Sequence, residues 1–277
     1  MSELSLKHYR SLQSVDPIVA GRYEVKLASS AREILLAQKL RYQVMYQEKG
    51  GRPDLVKAKM KADIDEWDAS AQHIIVLDRK GKTLKVVGTL RLVSNLTLKE
   101  GQRFYTEAAF DLSKLRNHYP CMLELGRFCI DQTGRNGAIL LLIWKFAMQF
   151  IVTNRIDVML GCASFPGTDI QSHREVFTYL YNNNLAPEAL MPEPIKDYVE
   201  IENILINDVD FDVAARDVPT LLRGYLKLGA RTSSAAIIDP VFNTTFLCIY
   251  VDASSMISKN TTLVTAKRAN PQVSISA

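Results

Sequence analysis

Apolar and polar residues alternate over Tyr23-Glu24-Val25-Lys26-Leu27, directly after Gly21, and this period of two predicts a short strand. The period then lengthens. Ser29 or Ser30 is placed to cap a helix with Glu33 in its first turn, and Leu36, Leu40 and Val44 recur at i, i+4 spacing until about Gln47. Gln38, Arg41 and Met45 fall on the other face of that helix. Gly50-Gly51-Arg52-Pro53 ends it. Two β-rich runs, 73–77 and 84–93, are joined through Asp78-Arg79-Lys80-Gly81-Lys82, which reads as a hairpin turn. Residues 122–130 form another strand pattern, and Ala138 to about Asn154 is a strongly apolar helix entered through Gly134-Arg135-Asn136-Gly137. A buried strand is expected over 157–162 and a helix over 172–182. A further helix begins at Pro219 and stops at Gly229, before two strands near 235–238 and 245–251.

That order predicts an α/β (α+β) fold, a mixed central sheet with helices on both faces. No internal repeat and no linker divides the chain, so a single domain over about residues 22–254 is expected, preceded by an extension over 1–21. Leu185 to Asp217 holds nine acids and two bases and reads as an acidic insertion within the fold. Residues 255–277 lack any acid, are rich in Ser and Thr, carry Lys259, Lys267 and Arg268, and are expected to form a mobile basic tail.

Composition narrows the class. With 277 residues, 47% hydrophobic and 23% charged, the chain is globular and has ample material for a core. Its net charge of +4 is too small to argue for a nucleic-acid partner. Cys121, Cys129, Cys162 and Cys248 are widely spread with no CxxC pair, which points to buried thiols in a reducing compartment. The four histidines, His8, His73, His118 and His173, have no metal-ligand spacing, and no metal is expected. Residues 1–13 show no signal-peptide pattern, and the most apolar window, 138–152, carries Lys145. A bilayer span needs about twenty apolar residues. A cytoplasmic protein is expected, soluble or held loosely at the inner-membrane surface by the few basic residues of its tail.

Walker A, GxGxxG, GxSxG and HExxH signatures are all missing. What remains is charge embedded in apolar strands. Glu124 and Arg127 interrupt Leu123-Glu124-Leu125-Gly126-Arg127-Phe128, and Arg91 interrupts Gly88-Thr89-Leu90-Arg91-Leu92. Such residues read either as a buried ion pair or strand end, or as a functional site, because unpaired burial costs several kcal/mol. Arg135-Asn136-Gly137-Ala138, before the apolar helix, reads either as a tight turn or as a cradle whose free N–H groups meet a phosphate. Lys57, Lys59 and Lys61 form a basic stretch just before Asp63, Asp65, Glu66 and Asp68. These are either solvated surface or, respectively, a docking patch for an acidic protein and a site for a cationic substrate.

Several longer runs resemble the bacterial ornithine N-acyltransferases, a GNAT-like family related to the acyl-homoserine-lactone synthases. They are Arg41-Tyr42-Gln43-Val44-Met45-Tyr46-Gln47-Glu48, Asp63-Ile64-Asp65-Glu66-Trp67-Asp68 with His73, Val87-Gly88-Thr89-Leu90-Arg91-Leu92, Leu123-Glu124-Leu125-Gly126-Arg127 and the segment 155–169. Residues 221–230 followed by Asp239 continue the likeness, which spans about 22–252. The resemblance implies a GNAT-like fold without a permanent cofactor. It implies transfer of a 3-hydroxy fatty acyl group from the phosphopantetheine of acyl carrier protein to the α-amine of ornithine. Glu124 is then the expected base, and Arg127 the partner of that carboxylate or of the substrate carboxylate. Backbone N–H groups of Phe128, Cys129 and Ile130 are expected to meet the oxyanion. Arg41, Asp65, Asp68, His73 and Arg91 would shape the N-terminal lid and bind the amine substrate. Arg135, Asn136, Gly137 and Ala138, with Lys57, Lys59 and Lys61, would receive the carrier. Met45, Phe104, Phe110 and Trp144 are expected to wall the acyl tunnel. The alternatives are another acceptor such as glutamine or glycine, a signalling N-acyl amide, or a non-catalytic module that binds lipid or carrier.

Overall fold

Ser30 caps the first helix as the sequence predicts, its side chain accepting from the Glu33 N–H, so α1 covers Ala31–Tyr42. The helix does not run on unchanged to Gln47. It widens into a π-helix over Gln43–Glu48. That widening matters later, because it delivers Met45 and Lys49 to a cavity and Tyr46 to a buried acid. The computed structural model of the chain describes residues 12–81, 83–135 and 137–259. Asn136 of the expected phosphate loop, residues 1–11, and residues 260–277 of the expected tail lie outside the described residues.

The strands are β1 (Ile18–Ala20), β2 (Tyr23–Leu27), β3 (Ala71–Asp78), β4 (Lys85–Ser94), β5 (Phe110–Asp111) and β6 (Met122–Ile130). They continue with β7 (Val158–Pro166), β8 (Glu193–Pro194), β9 (Tyr198–Glu200), β10 (Arg231–Asp239) and β11 (Thr244–Asp252). Nine of them form one sheet in the order β1-β2-β3-β4-β6-β7-β11-β10-β9, while β5 and β8 pair separately. The other helices are α2 (Leu55–Met60), α3 (Ser113–His118), α4 (Ala138–Thr153), α5 (Arg174–Asn184), α6 (Phe211–Asp217), α7 (Thr220–Lys227) and α8 (Ala253–Lys259).

Strand alternation divides the core in two. Leu90, Leu92, Leu123, Met159, Leu247 and Ile249 face one side, where α4 presses Ile139, Ile143, Phe146 and Phe150 against them and α5 and α7 add Phe177, Leu180 and Leu222. Each such side chain contributes about 1.5–3 kcal/mol on burial. On the opposite side Ala37 and Leu40 of α1 and Val44 of the π-helix pack over Ile75, Val86 and Cys129. A second cluster there joins Phe104, Phe110 and Leu115 to Leu160, Phe246 and Tyr250.

The structure adds detail at the boundaries. The acidic segment 185–217 is woven into the fold: β8 pairs with β5, β9 forms the sheet edge on β10, and Ile201 and Ile204 enter the core. Strand β1 lies within the expected N-terminal extension and pairs with β2. Helix α8 runs past residue 254 and buries Met256, so the fold extends into the expected tail.

The feature that positions the site is the junction of β6 and β7. It is the sheet's parallel pairing, and it holds only over Met122↔Val158, Leu123↔Met159 and Glu124↔Leu160. Beyond it β6 continues on β4 to Ile130 and β7 continues on β11 to Pro166, so the two strands part. Gly161 sits at the apex, where a Cβ would lie 2.5 Å from the Leu125 carbonyl oxygen. A backbone oxygen there has no rotamer by which to move aside. Gly161→Ala should therefore cost about 1–3 kcal/mol in urea unfolding. Gly126→Ala, with nothing within 4 Å of its Cβ, should leave stability unchanged.

Candidate active site

A cavity of about 300 Å³ occupies the opening between β6 and β7 and is walled from both sides of the sheet. Met159, Leu221, Leu222, Tyr225 and Ile249 make one end apolar. Glu124, Arg91, Arg127, Lys49 and Asp239 bring charge to the rest. A ligand threaded through it would have a greasy end beneath α7 and a polar end under the loops that follow α1.

Glu124, the expected base, is buried on β6 at the last paired position. Its partners were not visible in the sequence. The turn after Phe104 aims two amides at it: Tyr105 N–H donates to Oε2 at 2.9 Å and Thr106 N–H to Oε1 at 2.7 Å. The Thr106 hydroxyl adds a third bond at 2.6 Å. Burial pushes the carboxyl above its ordinary value, while the Thr106 and Tyr105 donors oppose that shift by favouring the ionised form.

Arg127 does not pair with Glu124, the first of its two expected partners. The register between β4 and β6 slips between Thr89 and Arg91, a β-bulge. Within it Arg127 takes φ +54°, a left-handed conformation that a side chain this large rarely adopts. The bulge turns its guanidinium toward the Asp63 and Asp65 carboxylates at 2.9 and 3.0 Å, between the rings of Tyr105 and Phe242. Arg41, with no exposed surface, donates Nε to Asp63 at 2.8 Å and Nη1 to Asp68 at 2.7 Å. Arg91 reaches Asp65 and Asp68 with Nη1. Three arginines and three aspartates thus form one neutral, largely buried network, which Gln38 and Tyr46 complete through bonds to Asp68 and Asp63.

This network changes the role of the expected amine-binding residues. Arg41, Asp65, Asp68 and His73 do not line the cavity, whereas Arg91 and Arg127 do. His73 lies beside Asp68 with Nε2 at 3.4 Å from its carbonyl oxygen, and burial pushes the imidazole below its ordinary value. It is neutral at pH 7, so its 4.0 Å approach to the Asp68 carboxylate is not an ion pair. The loop carrying the acids is pinned to the one carrying Tyr105: Trp67 Nε1 donates to the Arg103 carbonyl, and its ring meets Tyr105 edge-on at 5.3 Å.

The remaining expectations divide. Phe128 lines the cavity, while Cys129 and Ile130 lie opposite Thr89 and Gly88 on β4, outside its wall. Gly126, Arg127 and Phe128 border the cavity, and the bulge leaves Arg127 and Phe128 out of the ladder between the Arg91↔Gly126 and Thr89↔Cys129 pairs. Met45 walls the cavity, but Phe104 and Phe110 belong to the core, and Trp144 backs the wall through an edge-on contact with Tyr225. Arg135 donates to the Ile130 carbonyl and pairs with Glu48; Gly137, at φ +88°, precedes the first turn of α4 at Ala138. Lys57, Lys59 and Lys61 stand on and just after α2, none of whose residues is buried, and Lys57 pairs with Asp54. Cys162 faces the cavity, yet burial pushes its thiol up to about 12, so it offers no nucleophile at neutral pH.

Thr106 entered no expected role; Asp63 was read only as part of the acidic run, Lys49 as part of the basic stretch before it, and Asp239 only as part of the family likeness. Thr106 reaches Glu124 from 18 residues away, so no local pattern signals it. Asp239 had a local cue, an acid closing an apolar strand before Pro240.

A split sheet carrying a buried carboxylate and a through-going cavity is the architecture of a GNAT acyltransferase. The Acetyltransferase (GNAT) domain family matches residues 40–145. An N-acyl amino acid synthase, FeeM, from uncultured soil microbes shares the fold with a TM-score of 0.51 at 12% identity, over 88% of this chain and 96% of that one. The curated relatives are more specific. The chain is 32% identical to an L-ornithine N(alpha)-acyltransferase of Rhodobacter capsulatus over 241 residues, 86% of this chain and 93% of that protein. It is 33% identical to the enzyme of that name from Agrobacterium fabrum, over 86% of this chain and 84% of that one. The Brucella abortus enzyme matches at 30%, over 94% and 95%. The chain belongs to the L-ornithine N(alpha)-acyltransferase family. Among the described residues no helix is long and apolar enough to cross a membrane.

The ion network sets a stability test. Burial alone would push the Asp63 carboxyl up, but Arg127 and Arg41 hold it below its ordinary value. Its contribution is therefore present at neutral pH and is lost as pH falls through the lowered value. Asp63→Asn at pH 7 leaves two buried guanidinium groups short of a charge and should cost about 3–5 kcal/mol in urea unfolding.

Proposed function

We propose that the protein transfers a 3-hydroxy fatty acyl group from the phosphopantetheine thioester of acyl carrier protein to the α-amine of ornithine, releasing lyso-ornithine lipid. The observation that carries this reading is the cavity itself, apolar at one end and polar at the other, with Glu124 where the strands part. An α-ammonium must lose a proton before it can attack a thioester. Glu124 takes that proton, directly or through one water. The amine nitrogen then bonds to the carbonyl carbon, and the oxyanion meets backbone N–H groups of the Gly126–Phe128 bulge. Collapse expels the phosphopantetheine thiolate, which takes up a proton. The acyl chain lies among Met159, Leu222 and Tyr225. Lys49, on the cavity wall beside the Arg127 and Arg91 guanidinium groups, receives the acceptor's carboxylate.

The donor reading rests on charge. Carrier proteins of fatty-acid metabolism are acidic, and α2 offers Lys57 and Lys59, followed by Lys61, beside the exposed apolar side chains of Leu55, Val56 and Met60. Arg135, with the loop entering α4 at Gly137 and Ala138, lies at the open end of β6, where a phosphate of the prosthetic group would arrive.

Loss of a general base typically costs 10²- to 10⁴-fold. Glu124→Gln should lower acyl transfer by about that factor at pH 7, measured with purified carrier thioester and ornithine, and near-full turnover would move the base elsewhere. Glu124 must be ionised to accept a proton, and its pKa is raised. The acid limb of kcat/KM should consequently lie above the ordinary glutamate range, with activity rising as pH passes up through it.

The variant Lys57→Glu/Lys59→Glu/Lys61→Glu should raise the KM for carrier-bound donor more than for a short thioester mimic. The difference should shrink at 1 M salt, where the screening length falls to about 3 Å. Equal effects on both donors would count against the docking patch.

A further inference from the structure

Most of the charge on the cavity wall is already matched. Arg127 and Arg91 are balanced by Asp63, Asp65 and Asp68. Glu124 is held by three donors. Asp239, at the end of β10, is different. Its Oδ1 accepts from the Val241 and Phe242 amides at 2.8 and 3.1 Å, and among the described residues its Oδ2 accepts no hydrogen bond and the carboxylate has no cationic partner. The turn therefore fixes the carboxylate at the cavity wall and leaves one oxygen unused.

We propose that Asp239 binds the distal ammonium of the acceptor and so selects a diamino acid over its uncharged analogues. This rests on the amino-acid acyltransferase reading above and adds the residue that reads the side chain. A ligand ammonium would supply the counter-charge and the hydrogen-bond donor that this carboxylate lacks. The location fits. Asp239, Arg127 and Glu124 line the same cavity, together with Tyr105 and Cys162. The balance of charge fits as well. With the arginines neutralised, the cavity wall holds two carboxylates, Glu124 and Asp239, and one lysine at position 49 without an ion pair among the described residues. A diamino acid brings two ammonium groups and one carboxylate. Glu124 takes the proton of the amine that reacts, and Asp239 holds the amine that does not, which also keeps that second amine protonated and unreactive.

Asp239→Asn is the suited variant, because its Oδ1 still accepts from both turn amides. With one acyl donor, kcat/KM is measured for ornithine and for norvaline, which has the same chain length without the ammonium. Losing a charged hydrogen bond should lower the value for ornithine about 10- to 100-fold and leave norvaline unchanged. Asp239→Glu, which keeps the charge, should retain preference for ornithine. An equal loss on both acceptors, or an unchanged ornithine value, overturns the role of Asp239 while leaving the acyltransferase reading intact. A wild-type enzyme that does not prefer ornithine to norvaline overturns the acceptor assignment itself, and the Asp239 role with it.

Discussion

Six charges, three of them buried and three nearly so, hold this molecule's working end together. Arg41 comes from α1, Arg91 from β4, Arg127 from the β6 bulge, and Asp63, Asp65 and Asp68 from one short loop. None of these groups is tolerable alone in a low-dielectric interior, yet together they are neutral and multiply hydrogen-bonded. The consequence is positional. The network fastens the loop after α2 onto the sheet, holds Arg127 in a left-handed backbone conformation, and thereby keeps the β6 bulge open at the cavity. Through Trp67 the same loop fixes the turn whose amides hold Glu124.

The split between β6 and β7 depends on that arrangement and on a single glycine. A parallel pair that stops after three residues leaves backbone groups on both strands without ladder partners, normally an unfavourable condition inside a protein. Here the gap is the place where a substrate meets the backbone. The sheet continues on either side through β4 and β11, so the opening costs local pairing and leaves the remainder of the core intact.

Charge at the site has two kinds of residue behind it. Arg41, Asp63 and Asp68 lie behind the cavity's wall and balance the Arg91 and Arg127 groups that line it, so removing any one leaves the others uncompensated. Glu124 and Asp239 present carboxylates toward the space itself, one strained upward in pKa by burial and one with an unused oxygen. Both kinds stand out in the sequence as charges in apolar or motif-bearing runs, which is why residue type alone did not separate wall from ligand contact.

The sequence by itself determined the strands from β2 to β11 that carry strict alternation, the caps of α1, the apolar α4, and the membership of the family through runs such as 155–169. These are local properties, set by spacing of two or of 3.6 residues and by Ser, Gly and Pro at element ends. It also singled out Glu124, Arg127 and Arg91, because charge inside apolar runs is costly enough to need a reason, while Arg41, Asp65 and Asp68 were marked by the family resemblance. Only the tertiary structure decided which of these meet. Simple alternation would put Arg127 on the face opposite Glu124; the bulge in β6 reverses that direction, and on the cavity side the guanidinium meets Asp63, 64 residues away in sequence. Glu124 takes its donors from Thr106, and Asp239 reaches the same cavity from the far end of the sheet. Such partnerships follow from sheet order and strand register, which long-range packing sets and which no window of neighbouring residues contains.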